Sequence, residues 1–177
     1  MKNVGVLVFA FLAFTPCMAQ AAGAAASLFG VKGVVVQSVV FSNKKIADAC
    51  NLNSDSLMQV VKKSLQMNGV PAVTAAEVNL DTITPAHIDL LPEVTSMDNQ
   101  GFDCTSWISL SAQTNSNVIV PPIDTLRNVV VLYWHDGSLV ETSQVLHERT
   151  LEDSLQKMTM RLADKFKADQ PPARQEQ

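Results

Sequence analysis

Apolar positions recur along this chain with two different periods, and the switches between them lay out its elements. An unbroken apolar run, Val4 to Phe14, follows Lys2 and is too short for the ~20 residues of a membrane-spanning helix. With Ala19 and Ala21 behind it, the run reads as a secretory signal cut after Ala21 or after Ala19. Residues 22–30 are small and weakly patterned and read as a linker. Val31 to Phe41 is rich in β-branched residues and predicts a strand, whose consecutive valines suggest that both faces are covered. A short link through Ile46 to Cys50 follows. Asn53 or Ser54 then caps a helix through Asn68, with Leu57, Val61 and Leu65 on its buried stripe. Gly69 and Pro71 stop it.

Beyond this helix, 71–78 reads as a short strand or a loop, and 79–85 as a turn. His87 to Ser96 alternates as a half-buried strand, which Pro92 places at an edge or a bulge. Asp98–Gly101 has turn chemistry. Phe102 to Ala112 alternates strictly, sending Phe102, Cys104, Ser106, Ile108, Leu110 and Ala112 one way and Asp103, Thr105, Trp107, Ser109, Ser111 and Gln113 the other. Gln113 to Arg127, with Pro121-Pro122, reads as a long polar connection. Asn128 to Trp134 is a strong strand, and Asp136-Gly137 predicts a hairpin turn returning through Leu139 to Val145. Thr150 and Asp153 approximate a capping box for a terminal helix carrying Leu151, Leu155, Met158, Leu162 and Phe166. Residues 170–177 form a polar tail. Two amphipathic helices can cover one face of one sheet. The expected fold is therefore α+β, a two-layer sandwich of a mostly antiparallel sheet of four to five strands, in a single domain over 31–169.

Composition narrows the function. Of 177 residues, 47% are hydrophobic and only 17% charged, which excludes a disordered polymer, and a net charge of −4 argues against nucleic acid. Removing the signal removes Cys17, whose Phe14-Thr15-Pro16 context is poor for lipid attachment, so no lipoprotein is expected. Cys50 and Cys104 remain, an even pair that in an exported chain reads as a disulfide. Closing a loop of roughly 54 residues is worth about 4 kcal/mol in the chain-entropy model.

Candidate chemistry is sparse. His87, His135 and His147 are scattered and read as solvated turn residues rather than metal ligands, and no cofactor is expected. No nucleophile elbow is present, and Ser109, Ser111, His135 and Asp136 are the groups that a small hydrolase would use. Trp107, with Thr105 and Ser109, falls on the sheet face opposite the helices and forms a candidate contact surface rimmed by the 113–127 segment.

Cys50-Asn51-Leu52 leading into the first helix, Gly101–Cys104 opening a strand, Trp134–Gly137 and a closing helix together resemble small exported bacterial α+β proteins of unknown function. The element order is similar to the N-terminal domain of TolB and to CsgG/LpoB-like envelope domains. That resemblance implies envelope assembly or partner binding rather than catalysis. The expected role is a non-catalytic periplasmic binding or accessory module, with an envelope protein or a small apolar ligand as partner and no transmembrane segment in the mature chain. A small hydrolase and a lipid-carrying transport auxiliary are the competing expectations.

Overall fold

A computed structural model describes residues 27–78, 86–99, 102–120 and 125–170. Val4–Phe14, Cys17, the 79–85 turn, Gly101 and Pro121-Pro122 lie outside the described residues. The chain forms an α+β sandwich in which six strands, among the described residues, make one sheet with helices packed on one side. The strands are β1 (Gly33–Val36), β2 (Val40–Phe41), β3 (Ala72–Thr74), β4 (His87–Asn99), β5 (Asp103–Val120) and β6 (Thr125–Ser143). The helices are α1 (Lys44–Ala49), α2 (Ser54–Met67) and α3 (Gln144–Asp169). The sheet order is β3-β1-β4-β5-β6, with β2 also on β4. The long β4–β5 and β5–β6 ladders are antiparallel. β1 and β2, in contrast, run parallel to β4, and β1 parallel to β3, because helices intervene between them.

The first predicted strand is divided. Val36 pairs with Leu90 and Val40 with Glu93, so four steps on one strand oppose three on the other, and the surplus residue breaks the ladder. Pro92 lies opposite this break. β4 is therefore a central strand and not an edge, and its residue without an N–H sits where the neighbouring ladder is already interrupted. Val34, Val35 and Val36 are all buried, as a central strand requires.

α2 starts and stops on the predicted residues. Asn53 accepts from the Asp55 and Ser56 N–H groups at 2.9 and 3.0 Å. Gly69 takes φ 77°, and the Val70 N–H reaches the Leu65 carbonyl at 3.0 Å. α1, in place of the expected link, is a single capped turn and a half: Asn43 accepts from Lys45 and Ile46.

α3 begins at Gln144, before the predicted cap at Thr150. The Thr150 hydroxyl instead bonds the Leu146 carbonyl inside the helix. Leu57, Val61 and Leu65 of α2 and Leu151, Leu155, Met158 and Leu162 of α3 are buried. They meet Ile88, Leu90 and Val94 of β4 and Ile108, Leu110 and Ala112 of β5 in one core.

Leu28, expected in a linker, is fully buried in this core. Its N–H donates to Asp169 at 2.8 Å, and the Gln170 amide donates to the carbonyls of Leu28 and Val31. The Leu28 N–H, with Lys165, holds the Asp169 carboxyl below the ordinary carboxylate range.

Two further expectations fail together. Of the expected Gln113–Arg127 connection, the described residues 113–120 and 125–127 are strand: β5 runs to Val120 and pairs with β6 back to Thr125. β4 meets β5 only as far as Gln113, so beyond that point the two strands form a ribbon, and the uncharged polar residues Thr114–Asn117 suit its wetted sides. Asp136-Gly137 is not a turn either. Both residues lie within β6, opposite Leu110 and Ser109.

Cys50 and Cys104 form the expected disulfide, with Cα atoms 6.0 Å apart. It joins the end of α1 to the start of β5 beneath the buried ends of the core. No helix among the described residues is long and apolar enough to cross a membrane.

Candidate functional site

Alternation along β5 gives the sheet two unlike faces. Cys104, Ser106, Ile108, Leu110 and Ala112 point to the helices and are all buried, whereas Phe102, expected with them, precedes β5 and is exposed. The odd-numbered residues face away, where no described helix packs. Trp107 stands there at 47% exposure, with Leu139 opposite it on β6 and Thr95 on β4. Leu139 and Met97 are also exposed. Thr105 is half-buried beside them, whereas Ser109 is covered and points its hydroxyl at Glu93 across 3.5 Å. The predicted face is thus present, with Ser109 beneath its surface rather than on it. The expected loop rim is instead the β5–β6 ribbon, which carries Val130 and Leu132 exposed.

Gly137 explains how the indole sits. A Cβ built on Gly137 would lie 2.4 Å from Cζ2 and 2.9 Å from Cη2 of Trp107, so the six-membered ring overlies the glycine backbone. An aromatic ring covering a strand glycine replaces the side-chain packing that glycine lacks. This gives the Asp136-Gly137 pair its physical role, which the turn reading missed. Gly137→Ala should therefore destabilise by about 1–3 kcal/mol through overpacking. In a Trp107→Ala background the same substitution should be neutral or stabilising, because a strand alanine loses less backbone entropy than glycine. Trp107→Ala alone should cost about 1–2 kcal/mol, less than the ~3–5 of a buried aromatic. A urea-unfolding double-mutant cycle reads the coupling; additive values would refute the stacking.

The hydrolase groups are only partly brought together. Ser111 and His135 are cross-strand partners on the open face, with Oγ and Nδ1 3.0 Å apart. Asp136, one residue on, necessarily points to the other face, where it accepts from Arg161 of α3 at 2.5 Å and from the Gly137 N–H. It cannot orient His135. Ser109 turns to Glu93 instead. A triad needs a base held by a third group, and these residues supply a serine–histidine pair without it.

His147 is corrected most sharply. It is fully buried on the core stripe of α3, four residues before Leu151. That i, i+4 spacing to Leu151 was the available signal, obscured by placing the helix start at Thr150. Its Nε2 meets Ser106 Oγ at 2.7 Å, its Nδ1 meets Thr142 Oγ1 at 3.0 Å, and Ser106 continues to Ser96 at 2.7 Å. Burial lowers its pKa from the ordinary 6.5. The hydroxyl chain satisfies the ring, and among the described residues no buried side-chain polar atom is left without a partner. No group of three or more His, Cys, Asp or Glu able to hold a metal occurs among the described residues.

No protein-family model matches this chain, and no curated protein does. Among solved structures it is similar to a PelC dodecamer from Paraburkholderia phytofirmans, at a TM-score of 0.47 and 11% identity over 76% of this chain and 89% of that one. It is also similar to a neuraminyllactose-binding hemagglutinin homolog from Helicobacter pylori, at a TM-score of 0.29 and 12% identity over 77% and 83%. At these values what those proteins bind or assemble into is a statement about them alone.

Proposed function

We propose that this chain is an exported, non-catalytic binding or accessory module of the cell envelope that engages its partner through the open sheet face around Trp107. The observation that carries the reading is the asymmetry of the sheet. One face is sealed by α2 and α3, and the other displays Trp107, Leu139 and Met97 with no described element over them. Exposed aromatic and aliphatic anchors among small polar groups are the chemistry of a contact surface. Export is supported by the short apolar run with its small-residue cleavage pattern, and by a disulfide of the kind that persists in oxidising compartments. The resemblance of the sequence's element order to the N-terminal domain of TolB and to CsgG/LpoB-like envelope domains is in keeping with this reading.

A photoreactive diazirine residue placed at Leu139 in living cells tests this, with Met160, exposed on α3, as the control position. The mature chain should be recovered from the periplasmic fraction lacking residues 1–19 or 1–21 by intact mass. Illumination should give a discrete adduct at Leu139 and none at Met160. Equal capture at both positions, or none at Leu139, would sink the reading.

A further inference from the structure

The open face has an organised polar strip beside its apolar anchors. From Trp107, β5 sends Ser109, Ser111, Gln113 and Asn115 to the same side at the two-residue strand period. β4 adds Glu93 and Asp89 opposite Ser109 and Gln113, and Gln37 donates from its Nε2 to Asp89 at 2.7 Å. A shallow groove of about 400 Å³ lies at the far end of this strip, lined by Gln37, Asp89, Gln113 and Asn115 together with the apolar Val40 and Leu91. The Trp107 ring leans along the strip, because Gly137, which it covers, pairs with Ser109 and not with Trp107. Eight residues of strand separate Trp107 from Asn115, a track of about 27 Å at the extended rise of ~3.4 Å per residue.

Three features define what fits such a track. A half-exposed indole laid over the sheet offers a flat apolar surface to the C–H face of a sugar ring, and its quadrupole favours those slightly positive hydrogens. Side-chain amides and hydroxyls both donate and accept, which matches a ligand whose own groups are hydroxyls. The ionised groups of the strip are the carboxylates Asp89 and Glu93, and among its described residues there is no Lys or Arg, so an acidic ligand meets like charge. A lipid tail could lie against Leu132 and Val130, which pair with Gln113 and Asn115, but it would bury the strip's amides and carboxylates without partners, a cost that a hydrogen-bonding oligosaccharide does not incur.

We propose that this strip binds a linear oligosaccharide that is uncharged or carries amino groups, with one ring stacked on Trp107 and the next hydrogen-bonded along Ser111, Gln113 and Asn115. The assignment rests on the open face being the binding surface and names the ligand that it takes.

Calorimetric titration of the disulfide-bonded chain with chitohexaose, cellohexaose and the hexamer of glucosamine tests it, with hexagalacturonate as the acidic comparison. At least one of the first three should bind, and at least about tenfold more tightly than hexagalacturonate or its own monomer. Trp107→Ala should weaken that binding about tenfold or more, Trp107→Phe less, and Gln113→Ala, a surface change that leaves the core intact, by about threefold or more. The assignment is overturned if none of the three hexamers binds, if hexagalacturonate binds best, or if Gln113→Ala and Trp107→Ala both leave binding unchanged. Should Trp107→Ala fail to fold, Gln113→Ala and Asn115→Ala decide. A protein adduct at Leu139 without hexamer binding would remove the sugar assignment and leave the binding-module reading standing. No adduct and no binding would remove both.

Discussion

Removing the disulfide as the pair Cys50→Ala/Cys104→Ala is expected to lower stability by about 4 kcal/mol. The bridge spans 54 residues, and the freedom it denies the unfolded chain is the dominant contribution in the chain-entropy model. Its position adds to this. Cys50 ends α1 and Cys104 opens β5, both at or below 1% exposure, so the bridge ties the α1–α2 segment to the end of the sheet where α3 also begins. Two alanines leave small voids among buried neighbours, which pushes the loss in the same direction. For a domain of this size the melting temperature should fall by roughly 10 °C. Urea unfolding of the variant, beside the wild type with and without a reducing agent, measures it. A loss below about 1 kcal/mol would show that the unfolded chain is already confined in this region and that the entropic account fails.

The second large effect is a pH dependence carried by His147. Its ring is fully buried, and its partners are the hydroxyls of Ser106 and Thr142 rather than a carboxylate, so no opposite charge on them offsets the cost of charging it. Burial therefore lowers its pKa from the ordinary 6.5. The unfolded chain takes up this proton near pH 6.5, and the folded chain only at lower pH. The unfolded state thus binds more protons between those two values, and stability rises with pH across that window. Stability should be level above about pH 7 and should fall as the pH drops below 6.5, with a slope approaching about 1.4 kcal/mol per pH unit for one proton. His147→Gln keeps a polar group for Ser106 but cannot titrate. It should cost about 1–3 kcal/mol at pH 7.5 and abolish the slope between pH 7 and 5. Denaturant unfolding across this range is the measurement. An unchanged slope in the variant would assign the dependence to other groups.

Where sequence and structure part, the deciding partners lie far away in the chain. Alternation in Phe102–Ala112 is legible because one face of that segment is buried and the other largely is not, and the structure keeps that division from Cys104 to Ala112 except at Ser109, which is covered on the outer face. Past Gln113 the same strand leaves β4, both sides of Thr114–Asn117 meet water, and the apolar alternation that would announce a strand disappears there. Thr114–Asn117 then looks like a connection. Asp136-Gly137 fails differently: the pair has the composition of a turn, but Gly137 is there to lie beneath Trp107, and Asp136 to reach Arg161 on α3. Neither partner is near it in sequence. His147 was visible as the first step of the stripe that continues through Leu151 and Leu155, but a polar residue at a core position declares itself only when its hydroxyl partners are known.

By itself the sequence determined the two amphipathic helices, the caps of α2, the buried face of β5, the two-layer α+β class and the cysteine pair. All of these depend on periodicities and local chemistry within a few residues, or on the parity of a count. Only the tertiary structure decided the order of the strands, the parallel pairing of β1 with β3 and β4, the reach of the β5–β6 ribbon and the burial of Leu28 beneath the end of α3. It also decided the character of the open face. Whether Trp107 is exposed or buried, whether Ser111 meets His135, and whether Asp136 can join them depend on which strands lie side by side and in what register. Register is set by the packing of the whole sheet against its helices, because a shift of one residue would turn every buried side chain outward.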